Sequence, residues 1–295
     1  MHWDKVSVIG VGLLGGSLGM ALRRKGLARR VVGYVRRRQA VGECCRAGAV
    51  DEATLDLGEA VAGADLVVLC TPLGQMLPLA LAMRGALKRG AVVTDVGSVK
   101  GPVVKELEPL IRRAGAEFIG SHPMAGNERT GVGAAHPDLF EGAVTVLTPT
   151  ARTSGRALRE ARRLWAALGA RVLEMSPDRH DQLVSRSSHL PHVVAAALAA
   201  LVLASGRRKE QRELCASGFR DTTRVASGSP EMWRDIALAN RRHLDRALCE
   251  LVRELEAVRR WLAAGDGNAL YKFFQVAKER RDAWCRGRGA LSSPE

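Results

Sequence analysis

The segment Ile9-Gly10-Val11-Gly12-Leu13-Leu14-Gly15 has the spacing GxGxxG, directly after a β-rich run and at the opening of a helical one. In that context each glycine has a reason. Gly10 permits a tight turn, Gly12 lets the backbone approach a pyrophosphate, and Gly15 allows close helix–strand packing. The helix start at Leu13 and Leu14 adds free N–H groups and a partial positive charge for phosphates. The chemistry implied is binding of a nicotinamide dinucleotide. An acid at the end of the second strand would hold the ribose 2′-hydroxyl of NAD, but Val35 stands there, followed by Arg36-Arg37-Arg38. Arg36 and Arg37 can fork onto a 2′-phosphate, so the sequence favours NADP over NAD; a solvent-facing run of arginines is the alternative. Thr71 and Pro72, which end a continuous apolar run, complete the cofactor-binding set. Two further groups can act on a ligand at this sheet edge. His122 follows the strand-like Glu117 to Gly120, and a neutral imidazole there can accept a proton, typically worth ~10²–10⁴ in rate. Ser98 follows Ala91 to Asp95, where it suits the N-cap of a helix starting near Gly101-Pro102.

These residues need a particular scaffold. Val6–Ile9, Val31–Val35, Leu66–Cys70, Ala91–Asp95, Glu117–Gly120, Ala143–Leu147 and Arg171–Met175 read as strands, with helices over Leu14–Lys25, Arg37–Ala47 and Gly155–Leu168. Continuous apolar strands separated by helices are what a parallel sheet covered on both faces requires. After Ser176-Pro177 only helical periodicity remains. Pro191 to Ala204 is apolar nearly all round and should be a buried helix. Leu244, Leu248, Leu251, Leu255, Val258 and Leu262 recur at steps of three and four, a long amphipathic helix. The expected fold is an α/β Rossmann-type dinucleotide-binding domain (1–176) followed by an all-α dimerisation and substrate domain (177–285), with 286–295 a disordered tail. A fully apolar helix in a small helical domain calls for a second subunit, hence a homodimer.

Composition narrows the class. At 295 residues, 46% hydrophobic and 26% charged, the chain is neither disordered nor a disulfide scaffold. The 45 basic residues, 37 of them Arg, outweigh 31 acidic ones for a net charge of +14. They are scattered, and aromatics are 4%, which argues against nucleic-acid stacking platforms. The six cysteines, Cys44, Cys45, Cys70, Cys215, Cys249 and Cys285, form no CxxC pair and no metal-type cluster with His, so no metal is expected and a reducing cytoplasm fits. Leu190 to Ala204 is too short to span a bilayer, which needs ~20 residues.

Three more segments carry a resemblance: Asp95-Val96-Gly97-Ser98-Val99-Lys100, Gly120-Ser121-His122-Pro123-Met124-Ala125-Gly126 and Ser188-His189-Leu190-Pro191-His192. With Gly218-Phe219-Arg220-Asp221-Thr222-Thr223-Arg224 and Met232-Trp233-Arg234-Asp235, their order resembles the prephenate/arogenate dehydrogenase family of tyrosine biosynthesis, from Val6 to about Trp261. The resemblance implies oxidative decarboxylation of prephenate with NADP or NAD, arogenate being the alternative substrate. It makes His122 the catalytic base and gives Ser98 a hydrogen bond to the substrate hydroxyl or the nicotinamide. Arg224 becomes a carboxylate ligand whose loss, as one partner of a buried charged pair, would cost roughly 2–5 kcal/mol. Glu128 and Asp221 would lie near the entrance. Ser188 and His192, four apart on one helix face, would contact the substrate, while His189 points elsewhere and Trp233 packs as core. A non-catalytic dinucleotide sensor is the reading from another class.

Overall fold

In the computed structural model, residues 2–126, 129–204 and 209–291 are described. Eight strands and six helices build the first part: β1 (Trp3–Ile9), α1 (Leu13–Arg24), β2 (Ala28–Tyr34), α2 (Arg38–Arg46), β3 (Glu52–Thr54), α3 (Leu57–Val61), β4 (Leu66–Leu69), α4 (Leu73–Met83), β5 (Val92–Asp95), α5 (Gly101–Arg113), β6 (Glu117–Pro123), β7 (Val144–Thr148), α6 (Gly155–Ala167) and β8 (Arg171–Glu174). The strands form one eight-stranded sheet in the order β3-β2-β1-β4-β5-β6-β7-β8. All neighbours run parallel except β6 and β7, which pair antiparallel from Gly120↔Thr148 to Pro123↔Thr145. β3 escaped the sequence reading because Glu52-Ala53-Thr54 is short and mostly polar, an edge strand rather than a buried one.

Both sheet faces are covered, which explains the unbroken apolar strands. Val8, Leu66 and Val68 pack with Leu18 and Leu22 of α1 and Trp165 of α6 on one face. Ile9, Val67 and Leu69 pack with Met76 and Met83 of α4 and Leu107 and Ile111 of α5 on the other. The order in which strands are added reverses between the parallel β1 and β4, so their carboxyl ends open the crevice where open α/β sheets take ligands.

Helices follow β8: α7 (Pro177–Val184), a π-helical turn Ser185–His189, α8 (Leu190–Val202), α9 (Lys209–Glu213), α10 (Ser217–Thr223), a 3₁₀ turn Arg224–Ser227, α11 (Pro230–Ala239), α12 (Arg241–Ala264) and α13 (Gly267–Leu291). Pro191 explains the π turn: it has no N–H for the carbonyl of Ser187, so the ladder between α7 and α8 widens. In the single chain α8 buries only Ala195, and Leu201 and the adjoining Leu203 are exposed; the sequence reading covers this helix with a second subunit. One expectation is corrected here: α13 continues to Leu291, through the first residues of the expected tail, since Arg, Ala and Leu favour helix.

The described residues group into two compact units, 1–241 and 242–295. The second consists of α12 and α13, turned at Gly265 (φ +63°) and capped by Asp266, which accepts from the N–H of Ala269 at 2.9 Å. Trp261 and Phe273 face each other across the hairpin, 6.1 Å between ring centroids.

Candidate active site

The carboxyl ends of β1, β4, β5 and β6 bring the glycine loop, Thr71, Ser98 and His122 to one sheet edge. A cavity of about 930 Å³ opens beside the first two. Its lining includes Gly10, Gly12, Arg36, Arg37, Thr71 and Pro72. Gly10 has φ +96°, and a Cβ on Gly15 would overlap the carbonyl oxygen of Gly10, so the turn and the α1 contact both require glycine. At Gly12 a Cβ would meet nothing within 4 Å, leaving open space against bare backbone at the helix start. The Thr71 hydroxyl is buried without a partner at the same edge. Leu13 and Leu14 are half-buried in the first turn of α1. An uncovered helix N-terminus, a glycine with free space before it and an unsatisfied hydroxyl fit a dinucleotide pyrophosphate. β2 ends at Tyr34 with no acid, and Arg36 and Arg37 are exposed on the cavity rim. Glu43 also lines the cavity, 3.8 Å from Arg37.

His122 is held by a buried polar network that spacing did not reveal. β5 stops pairing with β6 at Thr94↔Ile119, and the Asp95 carboxylate takes over, accepting the N–H of Ser121 at 3.2 Å. It also accepts from Gly97 N–H at 2.8 Å and pairs with the fully buried Lys100 ammonium, which donates to the Ser121 carbonyl at 2.8 Å. The residue before His122 and the loop carrying Ser98 are thus clamped by one ion pair. Each charge also hydrogen-bonds to backbone, which helps make a buried pair tolerable.

His180 and Asp181 of α7 complete the network. Asp181 Oδ1 accepts from Lys100 N–H and from His180 Nδ1, both at 2.7 Å, and Oδ2 accepts from Gly101 N–H at 2.7 Å. The N-cap of α5 is therefore Lys100, capped by a carboxylate from a distant helix. This corrects the expectation that Ser98 caps it: two charge-assisted bonds outcompete one hydroxyl. His180 Nε2 lies 2.8 Å from His122 Nδ1. A carboxylate only accepts, so His180 carries its proton on Nδ1 and offers Nε2 as acceptor. His122 must then donate from Nδ1, which leaves its Nε2 lone pair available. Burial, then the neighbouring His180, Lys100 and His189, holds the His122 pKa well below its ordinary value, so the ring is neutral and ready to accept a proton.

A second cluster sits on the helical side of the first unit. His192 is half-buried and donates from Nδ1 to the Ser188 carbonyl at 3.0 Å, which leaves its Nε2 open. Its ring stacks on Trp233, centroids 3.5 Å apart, so Trp233 is more than core. Burial, opposed by the Ser188 bond and followed by the charge of Arg224, lowers the His192 pKa. Arg224 opens the 3₁₀ turn that packs on α8 and is exposed. Asp221 is exposed on α10, and Glu128 lies outside the described residues. His189, in the π turn, is 1% exposed. Among the described residues no group of three or more His, Cys, Asp or Glu is placed to hold a metal.

His180, Asp181, Asn240 and the Asp95–Lys100 pair were not singled out from sequence. His180 lies 58 positions from His122, and no periodicity links them. The available signal was Pro191 inside a helical pattern, which marks an irregular turn beside Ser188.

Comparison with known proteins identifies the family. Residues 18–174 match the family model for the nucleotide-binding domain of prephenate dehydrogenase, and residues 176–276 match its dimerization domain. The chain is 35% identical to prephenate dehydrogenase of Bacillus subtilis, over 98% of this chain and 78% of that protein. It is likewise 35% identical to cyclohexadienyl dehydrogenase of Zymomonas mobilis, over 94% of each. The crystal structure of prephenate dehydrogenase from Aquifex aeolicus, in complex with hydroxyphenyl propionate and NAD+, superposes with a TM-score of 0.90 at 31% identity, covering 96% of this chain and 99% of that one.

Proposed function

The chain belongs to the prephenate dehydrogenase family, and on that premise we propose how its residues carry out the oxidative decarboxylation of prephenate to 4-hydroxyphenylpyruvate and CO2 in tyrosine biosynthesis. The observation that carries the mechanism is the directed chain Asp181–His180–His122, which leaves one unshared lone pair on His122 Nε2. His122 takes the proton of the ring hydroxyl there, and the imidazolium shares its new charge through His180 with the Asp181 carboxylate. Ser98 donates a hydrogen bond that holds the same hydroxyl. Arg224 and His192 bind carboxylate of the substrate, Ser188 lines the same face, and Glu128 and Asp221 flank the entrance. The ring becomes aromatic once the ring carbon bearing the hydroxyl has given up its hydride and the ring carboxylate has left as CO2. Gly10, Gly12, Leu13, Leu14, Gly15, Thr71 and Pro72 would hold the dinucleotide, which when bound supplies the hydride acceptor.

Cofactor preference follows from the rim of the cavity. Arg36 and Arg37 with no acid at the end of β2 favour NADP, although the Aquifex relative was solved with NAD+. Arogenate is the second substrate reading, supported by the cyclohexadienyl dehydrogenase relative. A homodimer through the helical part is supported by the matched dimerization domain and by the exposed Leu201 of α8, the adjoining Leu203, and Val252, Leu255 and Leu262 of α12. The six cysteines are unpaired, which fits the cytoplasm, and no described helix is long and apolar enough to cross a membrane. The test is reduced-nicotinamide production with prephenate and arogenate, each with NAD and with NADP. Turnover in the prephenate–NADP combination is expected. Turnover with NAD alone makes the arginines a solvated face, and none in any combination, with dinucleotide binding intact, overturns the assigned reaction.

A further inference from the structure

The charged end of the dinucleotide cavity holds more than the two arginines that follow β2. Arg36, Arg37 and Arg46, with Glu43, are the charged residues of its lining. Glu43 stands 3.8 Å from Arg37 and offsets one of the three positive charges. Arg46 therefore doubles the surplus that Arg36 and Arg37 leave beside that carboxylate. It is exposed and, among the described residues, makes neither an ion pair nor a hydrogen bond.

Arg46 owes its place to a glycine one turn earlier. It stands in the last turn of α2, where an arginine ordinarily serves the terminal carbonyls and the negative end of the helix dipole. Here the head group is folded back instead. A Cβ on Gly42 would come 2.9 Å from Nη1 and 3.6 Å from Cζ of Arg46, and the three atoms nearest to it all belong to that guanidinium. The guanidinium thus lies over the bare Cα of Gly42, pointing toward the start of α2, where Arg37 sits. Gly42 is inside α2 and has no positive φ, so its backbone conformation does not require glycine, and glycine there weakens the helix relative to alanine. What the missing side chain provides is a seat for the guanidinium.

That seat decides which ligand the cavity end fits. A phosphate monoester carries about −1.5 to −2 at neutral pH, which matches the surplus of three arginines over one glutamate, whereas an unphosphorylated ribose brings no charge to offset it. A guanidinium also presents a planar fork to phosphate oxygens. On the dinucleotide reading of this cavity, on which the inference rests, we propose that Arg46, seated over Gly42, is a specificity-determining residue that binds the adenosine 2′-phosphate of NADP together with Arg36 and Arg37.

Two variants test it. Arg46→Gln removes the charge, and Gly42→Ala keeps the charge but takes away its seat. Affinities for NADPH and NADH are measured by fluorescence titration, with melting temperature as the control for folding. Arg46→Gln is expected to weaken NADPH about 3- to 30-fold, between the effect of an exposed ion pair and that of a charged hydrogen bond, with NADH changed less than twofold. Gly42→Ala is expected to weaken NADPH by a smaller factor while the melting temperature stays level or rises, because alanine favours helix. A glycine kept only for packing would do the reverse, melting early with NADPH affinity intact, and that result overturns the proposal. So does an NADPH-to-NADH affinity ratio within twofold of wild type in Arg46→Gln, or an unchanged ratio in Gly42→Ala. Equal weakening of both dinucleotides also overturns it, by placing Arg46 on the part they share. Wild-type protein that binds NADH but not NADPH overturns the NADP preference and this proposal with it; binding of neither overturns the dinucleotide reading itself.

Discussion

Two polar groupings flank the proposed reaction centre, and they are built on opposite principles. Around His122 everything is buried, and each proton has one permitted place, because a carboxylate at one end dictates every tautomer along the chain. Around His192 and Arg224 the groups are half-buried or exposed, and His192 is steadied by a backbone bond and a ring stack. The difference is between chemistry and capture. A base must hold one protonation state whatever the solvent does, which low dielectric and directional bonds enforce. A carboxylate-binding face must stay open to its ligand and keep its charge, which requires contact with water.

The sharpest way to break this contrast is at the base. His122→Asn should lower kcat by about 10²–10⁴ while dinucleotide affinity, read by fluorescence, stays within about twofold; a near-normal rate would remove His122 from the mechanism. Next comes the residue that orders the network from below. Asp181→Asn replaces an acceptor of three donors with an amide, and charge-assisted bonds are about twice as strong as neutral ones. Both kcat and melting temperature should fall together, and turnover kept at the wild-type level would show that Asp181 does not set the tautomers.

The buried grouping also predicts a pH signature. His122 and His189 have folded pKa values below the unfolded 6.5, so between those values the unfolded chain binds more protons. Stability is then full above pH 6.5 and is lost as pH falls toward 4, His189 contributing about 3 kcal/mol at most. Urea denaturation from pH 8 to 4 checks the sign, and the acid limb of kcat should lie below pH 6.5. On the exposed side the effects are smaller and fall on binding. Arg224→Ala should raise the prephenate KM roughly 10- to 100-fold, as expected for a charged hydrogen bond, with kcat little changed. Smallest is Gly228→Ala: a Cβ there would come 2.6 Å from Trp233 Nε1, tilting the ring under His192 and raising KM modestly, as steady-state kinetics would register.

Local chemistry made much of this protein legible from its chain. The glycine spacing, the apolar strands and the step from strands to helices near Ser176 depend on neighbours a few residues apart, and the strands appear where their patterns put them. Ser98, His122, Ser188 and His192 stood out through motifs that are themselves short. What stayed hidden depends on separation. Asp181 caps α5 from 80 positions away, and Asn240 reaches His189 across 51; before folding, both are ordinary polar residues on ordinary helices. What covers α8 is hidden for the same reason, since composition says that a surface is apolar but not what lies over it. The sequence by itself therefore determined the dinucleotide cradle and the residue types of the reaction. Only the tertiary structure decided which nitrogen of each histidine holds the proton, because a tautomer is set by partners that folding alone brings within 3 Å of each other.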